Sequence, residues 1–181
     1  SMVQIKYMSK TLSDFRNFLK PSTKKVLFSI SKALTEINEI IGKQVFYSNI
    51  KMNFNYKNKN EELLIYGYEN EFKQVLLNII NNAKNKIVEK NLPLNKKGEI
   101  NINIQRCENC NMIEIIDDAG AIDEKIINSI FEPYFTTKEN GMGLGLYMAK
   151  IIIEDKMKGT ISVRNDKNCV IFTIKLPFKK A

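Results

Sequence analysis

Apolar residues recur along this chain in two rhythms. Positions 72, 75, 76, 79, 80, 83 and 87 are apolar at spacings of three and four, which predicts an amphipathic helix over about 69–90, ending before Pro93. From Glu99 to Arg106 and from Asn111 to Asp117, apolar and polar residues alternate instead. That is the strand period, and the short break between the two runs predicts a hairpin over 99–117. The same reading predicts strands at 25–29, 50–56, 62–66, 160–164 and 170–176. It predicts helices over 31–41, extending toward 47, from near 123, and over 145–157, where Gly159 supplies a helix stop. At the start of the chain, Ile5, Met8, Leu12, Phe15 and Leu19 are spaced 3, 4, 3, 4, the seam of a coiled coil or helical bundle. Pro21 ends that helix, expected over about 2–20. Ser1-Met2 reads as a cloning remnant outside the fold.

Three segments carry candidate chemistry. Gly141-Met142-Gly143-Leu144-Gly145-Leu146 places three glycines just before a helical run. Such a turn lets the backbone approach an anion, and the free N–H groups of the helix start favour negative charge, so a phosphate-binding turn is expected. Asn78 and Asn82 lie one turn apart on the predicted helix over 69–90. An asparagine oxygen is a neutral ligand suited to Mg²⁺ bound on a nucleotide, an ion that takes only one or two protein groups. Finally, the apolar strand from Ile113 ends in Asp117-Asp118-Ala119-Gly120-Ala121-Ile122. A carboxylate there, facing an apolar pocket, can accept a hydrogen bond from an exocyclic amine. Each feature has an ordinary counterpart: a plain glycine turn, surface amides, a strand-ending Asp-Gly turn.

In this order and spacing, together with Phe131-Glu132-Pro133-Tyr134-Phe135, the segments resemble the N, G1, F and G2 boxes of the catalytic and ATP-binding domain of sensor histidine kinases. The resemblance covers about residues 22–178. It implies an α+β fold, a two-layer sandwich of a mixed, mostly antiparallel sheet with helices on one face, preceded by one long helix. A lid, short here, spans 122–140. Residues 1–20 would be the second helix of a dimerisation and phosphotransfer hairpin, and 21–181 the ATP-binding domain. The resemblance further implies that Asn82, with Asn78 one turn earlier, holds magnesium. Asp117 reads the adenine amine, with Ala119, Ala121 and Ile122 beside it. Lys138, Gly141, Gly143, Leu144, Gly145 and Leu146 enclose the phosphates of ATP. Phosphoryl transfer would proceed by positioning and charge stabilisation. Expected partners are ATP, a response-regulator receiver domain and a second copy of the chain, in a cytoplasmic domain whose parent protein can be anchored in the inner membrane.

Two departures matter. Ala119 and Ala121 stand where the family usually has glycine, and a methyl group at position 121 is costly if that residue needs φ > 0. The chain also contains no histidine, so the phosphoacceptor and the base beside it are expected upstream, and the chain alone is not expected to autophosphorylate. Three other readings compete. A chaperone- or mismatch-repair-type ATPase usually has Glu at the position of Asn78. An anti-sigma-type serine kinase lacks the helical seam at 5–19. A degenerate interaction module would have lost nucleotide binding, a reading that Ala121 alone favours.

Composition changes little. The 181 residues, 44% of them hydrophobic, suffice for one packed domain and a helical appendage. No apolar run is long enough to span a membrane. The formal charge of +8 comes from 25 scattered lysines and only three arginines, so nucleic acid is not an expected partner. Cys107 and Cys110 have C-x-x-C spacing, but a structural zinc site needs four Cys or His ligands, and only Cys169 remains. The pair is read first as a hairpin turn, with a redox pair as the lesser alternative, and the odd cysteine count as a sign of a reducing compartment.

Overall fold

The computed structural model of the protein describes residues 1–6, 8–9, 20–139 and 141–178. Its elements run β1 (Val26–Ser29), α1 (Ile30–Tyr47), β2 (Ile50–Tyr56), β3 (Leu64–Gly67), α2 (Glu69–Glu89), β4 (Gly98–Arg106), β5 (Cys110–Asp117), a 3₁₀ turn (Ile127–Ser129), α3 (Gly145–Lys150), a π-helical stretch (Ile151–Lys156), β6 (Thr160–Asp166) and β7 (Cys169–Pro177). Five strands form the main sheet in the order β2-β4-β5-β7-β6. The β2–β4 pair is parallel and the other pairs are antiparallel. Strands β1 and β3 pair separately as a two-stranded antiparallel ribbon.

The alternation along β4 and β5 decides how the layers stack. Ile100, Ile102 and Ile104 of β4 and Ile113 and Ile115 of β5 are fully buried on one face. Against that face α1 brings Ala33, Leu34, Ile37 and Ile41, and α2 brings Phe72, Leu76, Ile79, Ile80 and Ala83. Each large side chain buried this way contributes roughly 1.5–3 kcal/mol. The opposite face is polar: the Asn53 amide donates to Asn101 Oδ1 and the Asn55 amide to Asn103 Oδ1, both at 2.9 Å. Helices therefore cover one face only, the expected two-layer α+β arrangement.

The start of α2 is capped from a distance. Its N-cap residue, Tyr68, makes no side-chain cap bond. Ser22 substitutes: its Oγ accepts the Asn70 N–H at 3.2 Å, and its own N–H donates to Glu71 Oε1 at 2.9 Å. The Asn70 amide also donates to Lys20 O at 2.9 Å. This is the reciprocal bonding of a capping box, assembled between residues 49 apart in sequence. One turn further, the buried Lys73 ammonium is neutralised by Glu36 and by Glu69.

Several boundaries differ from the sequence reading. Helix α1 follows β1 directly because Ser29 serves as its N-cap, accepting from the Lys32 N–H. The helix expected near Asp123 is only one 3₁₀ turn, and the last helix widens into π geometry after Lys150. Backbone at 2–6 and 8–9 is helical, with Ile5 and Met8 exposed. The remaining seam residues Leu12, Phe15 and Leu19 lie outside the described residues. Cys107 and Cys110 do close the β4–β5 hairpin, with the Cys107 N–H donating to Cys110 O at 2.8 Å. They are also joined as a disulfide, with Cα atoms 5.0 Å apart, a pairing that the sequence reading placed second to a plain turn.

Candidate functional site

The alternation that buries Ile113 and Ile115 also turns Asp117 toward the helices, at the last position of β5. Its side chain is 3% exposed. Asp117 Oδ1 accepts the Ala119 N–H at 3.1 Å and lies 3.3 Å from Lys86 Nζ. Burial pushes the Asp117 carboxyl above the usual carboxylate range, and the Lys86 ammonium and the Ala119 N–H oppose that rise. Asp118 is separated from its neighbour by one step of the pleat: its Oδ1 accepts the Glu99 N–H at 2.9 Å, back on β4. Of the two adjacent carboxylates, only Asp117 reaches the interior.

Behind Asp117 the chain turns at Gly120, with φ at +102°, a conformation that a side chain strains. Ala121 follows, exposed and outside the left-handed region. The turn's demand for positive φ thus falls one residue earlier than the departure from the family pattern, and the Ala121 methyl group carries no backbone penalty. Ile122 is pinned on both sides by one amide: its N–H donates to Asn165 Oδ1 at 2.9 Å, and its carbonyl accepts from Asn165 Nδ2 at 2.8 Å.

The glycine loop meets α2. The Tyr134 N–H donates to Gly143 O at 2.9 Å, and Gly143 itself sits at φ +69°. Leu144 then occupies the N-cap position of α3, and Leu146 packs against the core. Gly145 opens α3 directly over Asn78: a Cβ there would lie 2.7 Å from both heteroatoms of the Asn78 amide. Asn78 Nδ2 is buried without a hydrogen-bond partner. One turn on, Asn82 Oδ1 accepts from Lys138 Nζ at 3.5 Å, and the Lys138 N–H donates to Thr136 Oγ1 at 3.0 Å. Gly141 donates its N–H to Lys138 O at 3.1 Å. Asn78, Asn82, Lys138 and the glycines are therefore gathered where α2 and α3 meet. Asp117 lies further along α2, opposite Lys86.

Three neighbours of the site escaped the sequence reading: Lys86, Lys90 and Asn165. Lys90 Nζ would lie 2.8 Å from a Cβ placed on Gly120. Lys86 and Lys90 continue the four-residue step from Asn78 through Asn82, so one stripe runs through Asn78, Asn82 and Lys86 of α2 to its C-cap residue Lys90. Extending that stripe would have found both lysines. Asn165 has no comparable signal, because it arrives from β6, 43 residues away. Among the described residues, no group of three or more Cys, Asp or Glu side chains is arranged to hold a metal ion, and no helix is long and apolar enough to cross a membrane.

Residues 67–180 match the family described as histidine kinase-, DNA gyrase B- and HSP90-like ATPases. Sporulation kinase A of Bacillus subtilis (strain 168) is 30% identical over 93% of the chain, and sporulation kinase B of the same organism is 31% identical over 84%. The chain spans only 27% and 34% of their lengths. Among solved structures, the nucleotide-free catalytic domain of histidine kinase ThkA superposes with a TM-score of 0.76 at 28% identity, covering 86% of this chain and 97% of that one.

Proposed function

Because the chain belongs to the family of histidine kinase-, DNA gyrase B- and HSP90-like ATPases, we propose that it is the ATP-binding catalytic domain of a sensor histidine kinase. The observation that carries this reading is the pairing of a buried acceptor with a neutral–cationic cluster along one helix. Asp117 stands opposite Lys86, and Asn82 faces Lys138. The first pair suits the amine edge of adenine. The second suits phosphates, with Lys138 as a compact point charge and the backbone of Gly143–Leu146 closing over them.

A magnesium ion fits the donors present. Asn82 Oδ1 already faces a cation, the Lys138 ammonium. Asn78 lies one turn behind it, where its Oδ1 would be the ligand, while its buried Nδ2, unpartnered among the described residues, is a donor suited to a phosphate oxygen. Two amides are a small ligand set, appropriate to an ion that travels with the nucleotide and keeps most of its water and phosphate ligands. When bound, the ion neutralises charge developing on the transferred phosphoryl group. This chain's residues do the rest: Asp117 holds the base, Ala119 N–H and Lys86 oppose the rise that burial imposes on its carboxyl, and Asn165 fixes the Ile122 edge of the pocket.

The acceptor histidine is supplied from outside this chain, which has none. The segment before Pro21, with Ile5 and Met8 exposed on its helical part, is suited to pack against the hairpin that bears it, in a dimer. A receiver domain then takes the phosphoryl group, a partner of the kind seen in the solved complex of histidine kinase ThkA with response regulator protein TrrA. A non-binding interaction module draws no support from Ala121, since Gly120 meets the need for positive φ.

Thermal unfolding with and without a magnesium complex of a non-hydrolysable ATP analogue tests the reading. Ligand at 100 times Kd stabilises the native state by about 2.7 kcal/mol. A shift that shrinks when EDTA replaces magnesium is expected. No shift at millimolar nucleotide would overturn the assignment.

A further inference from the structure

The base pocket presents a carboxylate and an ammonium side by side. Asp117 Oδ1 is occupied by the Lys86 ammonium at 3.3 Å and the Ala119 N–H at 3.1 Å, while Oδ2 has no hydrogen bond among the described residues. Lys86 is 35% exposed and carries three donors, of which Asp117 engages one. One turn along α2, Lys90 sets a second ammonium against Gly120, in the loop that follows Asp117. A lone buried carboxylate offers a base acceptors only. This wall offers an acceptor and a donor next to each other.

That difference bears on which base can enter. Adenine brings an exocyclic amine, a donor, to a carboxylate. Guanine brings O6, an acceptor, at the corresponding position, with the N1–H donor on one side and the N7 acceptor on the other. Against a carboxylate alone, O6 is repelled and left without a partner, which is how a buried acceptor rejects the wrong base. With an ammonium adjacent, O6 has a donor while the neighbouring guanine N1–H faces Oδ2. The energy of such contacts is raised by the low dielectric around Asp117 and lowered by the partial solvation of Lys86.

Resting on the nucleotide-site reading above, we propose that Lys86 reads the base together with Asp117, and that the pocket accepts guanine nucleotides beside adenine nucleotides. The role is one of specificity. Lys86 touches the base edge and leaves the phosphate cluster at Asn82 and Lys138 unaltered.

Calorimetric titration of the chain with ADP and with GDP isolates the base term, because the two ligands carry the same phosphates. The wild type should bind both, with affinities within about tenfold of each other. At a pH high enough to keep Asp117 ionised in both proteins, Lys86→Met should lose GDP affinity by about tenfold or more and change ADP affinity far less, since only guanine loses a charge-assisted bond. Lys86→Arg keeps a cationic donor and should retain GDP. Melting temperatures of the unliganded variants, unchanged from wild type, show that each is folded. If ADP binds and GDP does not, the inference falls and the adenine reading stands. Equal losses of ADP and GDP in Lys86→Met would make Lys86 a structural partner of Asp117 and also overturn it. If neither nucleotide binds, the nucleotide-site reading itself fails.

Discussion

Replacing Gly145 by alanine tests whether α3 holds Asn78 in place. The added Cβ would sit 2.7 Å from both amide heteroatoms, and ordinary contact begins near 3.4 Å. The amide must therefore retreat by about 0.7 Å. Turning a side chain off its rotamer by this amount costs about 0.5–1.5 kcal/mol. The helix gains up to about 1 kcal/mol when glycine is replaced by alanine. The two nearly cancel, so urea unfolding of Gly145→Ala should move by less than about 1 kcal/mol. The affinity for the magnesium–nucleotide complex should fall about tenfold or more, because Asn78 has been displaced. The decisive step is the cycle with Asn78→Ala. Once the amide is gone, the contact has nothing to push against, and Gly145→Ala should become stabilising by up to about 1 kcal/mol. A coupling below about 0.5 kcal/mol between the two substitutions, or unaltered nucleotide affinity in Gly145→Ala, would refute the view that this glycine exists to admit Asn78.

Three further outcomes are expected. The Asp117 carboxyl is raised by burial, so the folded chain holds that proton more tightly than the unfolded one. Its contribution to stability therefore declines as pH rises from the ordinary value of 3.8 through the raised folded value. Nucleotide affinity, which needs the ionised form, weakens as pH falls through the same window. Titrations at several pH values should show this loss moving to higher pH in Lys86→Met, which removes the opposing charge, and Asp117→Asn should abolish the nucleotide-induced melting shift while leaving the fold intact. For the distant cap, Ser22→Ala should cost about 1 kcal/mol in urea unfolding and speed hydrogen exchange at the Asn70 N–H. Unchanged exchange there would show that the bond to Ser22 does not hold the helix start.

The parts legible in the sequence are those governed by local period and local turn chemistry. The 3.6-residue stripe of α2 and the alternation of β4 and β5 run in the chain much as they do in space. Asp117 was identified through its place in the resemblance, and in the structure it extends the buried set Ile113, Ile115 by one more alternate position. The missed features depend on pairings that no local window contains. Ser22 caps a helix 48 residues downstream, Asn165 clamps Ile122 from β6, and β1 pairs with β3 outside the main sheet. The π-helical widening after Lys150 is equally invisible, since Ile151-Ile152-Ile153 suits any buried helical run. Local turn chemistry alone offers two carboxylates, Asp117 and Asp118; the resemblance singles out Asp117, and the pleat of β5 is what puts it inside while Asp118 turns back to β4.

Helix α2 is 21 residues long, a rod of about 31 Å at 1.5 Å per residue. One end is gripped by Lys20 and Ser22. Its middle bears Asn78 and Asn82, and its far end bears Lys86 against Asp117. The joint between the N-terminal segment and the rest of the chain is thus a handle on the rod that carries the site's amides and the lysine beside the base. Lys20 and Ser22 are thereby tied to the same helix that bears Asn78, Asn82 and Lys86.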